Sequence, residues 1–364
     1  MPTVPRLSII VPTFNERANV SVLLDKLAAA LAGVAWEVIY VDDDSPDGTA
    51  DVVRGLAQND PRVRCLRRIG RRGLAGACIE GMLASSAPVL AVMDADLQHD
   101  ETLLPAMLKE IDAGADLVVG SRYLGGGASG TGFSKSRQGI SNAATVLAQR
   151  LLGVKITDPM SGFFMVRREV VEEAAPRLSE QGFKILLDLI ASTPRKLRTV
   201  ELPFTFRERH AGVSKLDSLV AVEFAGLVLS KLFGDWLSMR FILFAMVGFS
   251  GLAVHLILLQ SLLKTNSVAF STAQVAATYG AMIWNFFINN QLTYRDRRLR
   301  GWGALRGLLI FCLVCSVGAI ANVGVASWIF YGNRTNVLLA GTAGALMGAV
   351  FNYAASSVLT WRKR

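Results

Sequence analysis

Four cysteines in 364 residues are too few and too scattered for a disulfide framework. Cys312 and Cys315 form a C-x-x-C, but neither histidine nor acid neighbours them in their apolar stretch. They read as helix packing, not as a redox or metal site. Histidine is scarcer still, with only His99, His210 and His255. No G-x-G-x-x-G loop follows the first apolar strand and no Walker sequence occurs, which argues against both glycine-rich phosphate cradles. No nucleic-acid motif accompanies the formal net charge of +9. No charged-then-apolar leader opens the chain. Long apolar runs are missing from the first 215 or so residues and crowd into the remainder.

That asymmetry organises what is present. Hydrophobic residues make up 52% of the chain and the mean hydropathy is +0.39, high for a soluble protein. The length suits two domains. Residues 1 to about 215 read as a soluble α/β domain, and from about 240 onward the chain is a series of long apolar stretches. With a sequence pI near 9.6, the basic excess points to anionic lipid or anionic substrates.

In the first half, short apolar runs at Leu7 to Val11, Trp36 to Val41, Val63 to Leu66 and Pro88 to Met93 read as buried strands. Amphipathic stretches alternate with them, giving the βαβ pattern of a parallel sheet. Thr13 or Asn15 is expected to cap the first helix. Right-handed crossovers put the strands' C-terminal ends on one edge. Three polar clusters then converge there: Pro12 to Glu16, Asp42 to Asp44, and Asp94 to Gln98. If strand geometry persists beyond Met93, Asp94, Asp96 and Gln98 aim the same way. Two carboxylates and an amide oxygen suit a hard divalent cation such as Mg2+ or Mn2+. Such a strand edge is also where open α/β sheets bind ligands. Downstream, Arg122, Lys135, Arg137, Lys184, Arg207, Arg209 and Lys215 form a set of candidate partners for phosphate oxygens. Asp158 to Phe164 reads as a tight turn into a strand, and Val200 to Phe206 as the last strand.

The order P-T-F-N-E, V-D-D-D-S-P-D, M-D-A-D-L-Q-H, G-S-R-Y, D-P-M-S-G-F-F, G-F-K-I-L and F-T-F before G-V-S-K-L resembles the dolichyl- and polyprenyl-phosphate mannosyltransferases. These belong to glycosyltransferase family 2 and have the GT-A fold. The likeness covers roughly residues 7 to 216. It implies a GDP-mannose donor, a Mg2+ or Mn2+ ion and a polyprenyl (dolichyl or undecaprenyl) phosphate acceptor. It further implies that Pro12, Phe14, Glu16, Val41, Asp43, Met93, Asp94, Ala95, Asp96, Gln98, Arg122, Lys184 and Arg209 surround the nucleotide-sugar. Asp94, Asp96 and Gln98 carry the metal, and Arg122, Arg137, Ser141 and Lys215 meet the acceptor phosphate. Asp96, Arg122 and Lys184 are the expected catalytic residues. Asp100 departs from the family, which commonly has proline there.

The residue types suit that chemistry. A leaving nucleoside diphosphate gains charge that cations stabilise. A phosphate nucleophile is already ionised at neutral pH and needs no strong base, consistent with so little histidine. His99 reads as a supporting residue beside the motif, and His255 as a packing residue. A single displacement inverts the anomeric centre.

Asp217 to Leu237 reads as interfacial amphipathic helix. Apolar stretches at Phe241 to Leu263, Val268 to Asn290, Leu305 to Tyr331 and Val337 to Trp361 each approach the ~20 residues that a membrane helix needs. They resemble GtrA-type domains. Expected domains are therefore 1–216, 217–239 and 240–364. Basic segments after the second and fourth spans, Arg295 to Arg300 and Arg362 to Arg364, place both segments and the soluble domain in the cytoplasm. Asn285, Asn289, Asn290 and Asn352 near those span ends read as packing groups. W-N-F-F-I-N-N-Q-L-T-Y and V-F-N-Y-A-A-S-S-V-L-T-W hint at an internal duplication of two-helix units. Two other readings stand beside mannose transfer: glucose transfer from UDP-glucose, and a lipid-sugar translocator with a fused sensor domain. A processive polysaccharide synthase is disfavoured, because no Q-x-x-R-W follows the soluble half.

Overall fold

A computed structural model describes residues 4–124, 156–179, 184–205, 207, 238–264, 270–333 and 337–361. The chain divides into two compact units, Met1–Trp236 and Leu237–Arg364.

The first unit is built on a seven-stranded sheet. In chain order its elements are β1 (Leu7–Thr13), α1 (Val20–Ala30), β2 (Trp36–Asp42), α2 (Thr49–Asn59), β3 (Val63–Arg67), α3 (Leu74–Ala84), β4 (Val89–Val92), α4 (Leu104–Asp112), β5 (Leu117–Ser121), β6 (Phe164–Arg167), α5 (Arg168–Ala174), α6 (Ile185–Ser192) and β7 (Thr199–Pro203). The strand order is β3-β2-β1-β4-β6-β5-β7. All pairings are parallel except those of β6, which runs antiparallel between β4 and β5. The mostly parallel GT-A sheet is thus present, with one reversed strand fifth in its order.

Every residue of β1 and β2 is buried, as their unbroken apolar runs require of central parallel strands. Helix α3 lies so close on this face that a Cβ at Gly81 would collide with Ile10 and Val41 side chains. Such close approach is what a glycine inside a helix permits. The expected cap is corrected: Asn19, not Thr13 or Asn15, precedes α1. Thr13 is still in the strand, where its Oγ1 donates to Asp42 (3.2 Å), and Asn15 is held by its backbone to Ser45 Oγ (3.0 Å).

The second unit contains four long helices among the described residues: α7 (Met239–Lys264), α8 (Phe270–Gln291), α9 (Trp302–Asn333) and α10 (Val337–Leu359). Their bounds agree with the four apolar stretches. Within the described residues, Arg240–Leu262 and Trp302–Ile320 are long and apolar enough to cross a membrane. Large apolar side chains such as Phe249, Ile257, Leu309, Ile320 and Trp328 stand exposed on these helices.

Two-helix units recur at a constant offset of 67 residues (311 minus 244). Phe244 and Phe311, Val247 and Val314, Gly251 and Gly318, Asn285 and Asn352, and Thr293 and Thr360 are identical pairs at that offset. Asn285 seats its amide where a Cβ on Gly251 would be, and Asn352 does the same at Gly318. An aromatic cluster joins the halves. Tyr294 stacks on Trp361 with centroids 4.1 Å apart, and Phe244 meets Phe311 at 6.5 Å. Phe244 also meets Tyr353 (5.7 Å), and Phe311 meets Phe286 (5.8 Å). The remaining asparagines pack as well. Asn290 Oδ1 accepts from the Leu299 amide (2.8 Å) and the Trp361 indole (3.1 Å), and Asn289 Oδ1 accepts from Thr293 Oγ1 (2.7 Å).

Candidate active site

The C-terminal ends of β1, β2 and β4 lie side by side, and the three loops that follow hold the candidate residues. Each loop carries one non-glycine residue in the left-handed region: Asn15 (φ 59°), Asp44 (φ 55°) and Leu97 (φ 63°). These are the only such residues among those described. Left-handed backbone at an L residue costs roughly 1–2 kcal/mol. Strain of this kind persists where surrounding contacts over-determine it.

The first two loops are stitched together. Pro12 and Val41 are register partners, as are Thr13 and Asp42. The Asp43 amide donates to Thr13 O (3.0 Å), and the Glu16 amide to Thr49 Oγ1 (3.1 Å). Asp43 is buried and already engaged. Its Oδ1 accepts from Arg68 Nη1 (2.5 Å) and its Oδ2 from the Gly73 amide (2.6 Å). Burial pushes its carboxyl up, opposed by the Gly73 N–H and by Arg68. Asp43 therefore anchors the 67–73 loop beside the edge. Arg72 from that loop lies 4.3 Å over the Phe14 ring.

The third loop departs from the expected alternation. The strand ends at Val92, before either acid, so Asp94 and Asp96 are not successive outward residues of a strand. The Asp94 side chain is 39% exposed, whereas Asp96 is buried. Asp96 Oδ1 accepts from the Gln98 amide (3.2 Å). Gln98 is gripped twice by one residue: its Nε2 donates to Arg207 O and its carbonyl accepts from Arg207 N, both 3.0 Å. Met93 and Ala95 are buried beneath the loop. Arg207, counted from sequence among phosphate partners, instead pairs with Asp100 (2.7 Å) and Glu101 (2.6 Å). Asp100, which also accepts from the Thr102 amide (3.1 Å), replaces the family's proline with a cap and an ion pair.

His99 is 3% exposed. Its ring stacks on Phe163 (5.2 Å, 12°), and its Nδ1 accepts from the Asp94 amide (3.1 Å). Burial pushes its pKa down to about 4. It is a neutral supporting group.

Arg122 follows β5 and forms a bidentate pair with Asp158, Nε to Oδ2 at 2.7 Å and Nη2 to Oδ1 at 2.9 Å. Asp158 is fully buried. Burial would lower the Arg122 pKa, but the Asp158 carboxylate outweighs it and raises the value. Glu201 on β7 in turn accepts from the Thr157 and Asp158 amides (2.9 and 3.3 Å). Lys184 immediately precedes α6. Arg137, Ser141, Arg209 and Lys215 lie outside the described residues. Sequence reasoning missed Asp158, Glu201 and Arg68 as partners, although D-P-M-S-G was quoted as a motif.

A divalent ion fits the chemistry of the donors. Asp94, Asp96 and Gln98 offer hard oxygens on one six-residue loop. Among the described residues no three His, Cys, Asp or Glu side chains gather into a closed cage. Mg2+-type sites commonly use one or two carboxylates plus substrate phosphates and water. Two carboxylates beside a ligand-binding edge meet that description.

The profile of Glycosyl transferase family 2 matches residues 8–174, and that of the GtrA/DPMS transmembrane domain matches residues 243–361. The chain is 33% identical to a dolichol-phosphate mannosyltransferase of Pyrococcus furiosus over 98% of this chain and 99% of that protein. It is 37% identical to a polyprenol monophosphomannose synthase of Mycolicibacterium smegmatis, covering 58% of this chain and 81% of the other. A crystal structure of glucosyl-3-phosphoglycerate synthase from Mycobacterium tuberculosis with Mn2+ and UDP superposes with a TM-score of 0.50 at 18% identity. It covers 63% of this chain and 80% of that one, a likeness of fold.

Proposed function

We propose, for a chain that belongs to the dolichol-phosphate mannosyltransferases of glycosyl transferase family 2, that its reaction is inverting transfer of mannose from GDP-mannose to a polyprenyl phosphate. The observation that carries this reading is the end-to-end similarity to a dolichol-phosphate mannosyltransferase. The loop Asp94–His99 beside the Arg122–Asp158 pair supplies the matching chemistry.

In this reading the ends of β1 and β2 hold the nucleoside, with Pro12, Phe14, Glu16, Val41 and Asp43 around it. Asp94, Asp96 and Gln98 would hold Mg2+ or Mn2+, which when bound supplies positive charge against the diphosphate. Arg122, fixed in plane by Asp158, and Lys184 present cations to the anionic groups. Arg209 belongs to the nucleotide-sugar's surroundings, and Arg137, Ser141 and Lys215 to the acceptor phosphate. An ionised phosphate oxygen attacks the anomeric carbon from the face opposite the diphosphate, so an α-linked donor gives a β-linked product. No side chain has to remove a proton. The work of the chain is to hold two anions together against their repulsion.

Residues 1–216 form the catalytic domain, 217–239 an interfacial segment and 240–364 a four-span membrane domain in this proposal. The catalytic domain lies on the cytoplasmic side, because two basic segments follow the second and fourth helices. The test is transfer of labelled sugar by the purified chain, with GDP-mannose and UDP-glucose each offered with undecaprenyl or dolichyl phosphate. Mannose transfer from GDP-mannose that Asp96→Ala abolishes is the expected result. Labelling from UDP-glucose alone, or turnover unchanged in the variant, would sink it.

A further inference from the structure

We propose that His99 is a positioning residue that holds the Asp94–Gln98 loop in its liganding shape through one tautomer of its ring; this rests on the metal-diphosphate reading of that loop.

The β4 ladder ends with the Met93 amide, which donates to Ile10 O (3.2 Å). The next amide, Asp94 N–H, points inward to His99 Nδ1 at 3.1 Å. A hydrogen bond between residues 94 and 99 thus closes a small ring of chain with Asp96 in its middle and the left-handed Leu97 beside it. Opening that bond takes the His99 acceptor from a part-buried amide and loosens the ring of chain in which Leu97 is left-handed.

Only one chemical form of the ring does this. An N–H aimed at Nδ1 requires that Nδ1 bear no proton, so in the neutral ring the proton is on Nε2. That nitrogen faces the Asp94 carboxylate, with Nε2 to Oδ2 at 3.8 Å. One ring therefore addresses both the main chain and the side chain of Asp94. The ring cannot turn, being stacked on Phe163 and met edge-on by Phe204 at 5.8 Å. Gly162 completes the arrangement. A Cβ there would crowd Asp94 Oδ2 at 3.2 Å and reach ordinary contact with His99 Cε1 at 3.5 Å, so a side chain would press on the carboxylate. These contacts also exclude His99 as a general base, because its one acceptor nitrogen is taken by the backbone.

The test uses the full-length chain and two readouts apart from turnover. With histidine labelled by 15N there are only three rings to assign, by His210→Gln and His255→Gln. The His99 Nδ1 resonance should be that of a non-protonated nitrogen, and a protonated Nδ1 overturns the proposal. Mn2+ binding in the presence of GDP is then measured by electron paramagnetic resonance. His99→Phe keeps the stack but removes the acceptor, and should weaken Mn2+ about 10–100-fold, the usual cost of losing a group that orients a metal ligand. His99→Asn places an oxygen near the Nδ1 position and should recover most of that loss. Phe binding Mn2+ as tightly as wild type, or Asn as weakly as Phe, refutes the positioning role. Wild-type protein that binds no Mn2+ with GDP would instead refute the functional reading on which it rests.

Discussion

Asp158→Asn isolates the part of the site that fixes Arg122. The carboxylate is fully buried and accepts from three Arg122 donors: Nε at 2.7 Å, Nη2 at 2.9 Å and the backbone amide at 3.3 Å. Asparagine has nearly the same shape, so packing is preserved. Only one of its two terminal atoms accepts, so one arm of the guanidinium meets an N–H instead of an oxygen. Breaking a buried ion pair by removing one partner costs about 3–5 kcal/mol. Arg122 is 20% exposed and can turn toward water, and the amide oxygen keeps one bond, so a loss of about 2–3 kcal/mol is expected. The effect on transfer should be larger than this suggests, since a misplaced cation of about 1 Å can cost roughly 100-fold. Steady-state transfer at varied lipid phosphate and varied donor, beside thermal unfolding of the same preparation, separates the two losses. A folded Asp158→Asn protein with transfer within threefold of wild type would show that the Arg122 orientation is irrelevant to the reaction.

The helices of the second unit give a sharp test of packing: Gly251→Ala should destabilise them by about 1–3 kcal/mol, the cost of overfilling a packed site. Adding Asn285→Ala, which removes the colliding amide, should restore most of the loss, as should Asn352→Ala for Gly318→Ala; additive losses in thermal unfolding in detergent would refute the contact. Among the described residues, Ser356 and Thr360 bury hydroxyls that find no partner where the other half has the Asn289–Thr293 bond. Ser356→Ala should therefore change stability by less than about 0.5 kcal/mol, while Asn289→Ala costs about 1–3 kcal/mol by orphaning Thr293. Equal losses would overturn that distinction. Arg207→Ala breaks its pairs with Asp100 and Glu101, partly exposed contacts worth about 1 kcal/mol or less together after screening by solvent. Its backbone grip on Gln98 survives in the variant, so GDP binding should hold within about threefold of wild type, a tolerance set by that same small energy. A larger loss in calorimetry would mean that the side chain itself holds the loop.

What the sequence made legible follows from how local each signal is. Apolar runs ending in acids located β1, β2 and β4 together with their loops, because strand burial and strand-end chemistry are written within a few residues. Antiparallel insertion of β6 between β4 and β5 left no such mark, since its partners lie far away in the chain. The alternation expected of Asp94 and Asp96 failed because β4 ends at Val92, before either acid, and the loop that follows turns through the left-handed Leu97 on contacts that periodicity does not contain. Asp158, Glu201 and Arg68 were invisible for the same reason. Their functions are bonds to residues 36, 44 and 25 positions away. Among the described cations, Arg207 pairs with acids of its own chain, and in sequence such a cation looks the same as one that awaits a phosphate.

The duplication hint in the second half becomes an argument about direction. When two equivalent residues touch each other, as Tyr294 with Trp361 and Phe244 with Phe311, they sit on a twofold axis relating the halves. Such an axis also demands crossed pairs, and these are present: Phe244 reaches Tyr353 of the other half while Phe311 reaches Phe286. The cluster is made from the starts of α7 and α9 and the ends of α8 and α10. Both hairpins therefore enter and leave at one end and run in the same direction. Arg295 to Arg300 and the chain's exit at Trp361 then lie at that shared end. A parallel repeat puts Arg295 to Arg300 on the same side as Trp361, which the second basic segment follows in sequence; that agrees with the distribution the proposed cytoplasmic orientation requires. Reversing one hairpin, as an inverted repeat would, breaks the Tyr294–Trp361 stack and carries Trp361 away from Arg295 to Arg300 at once.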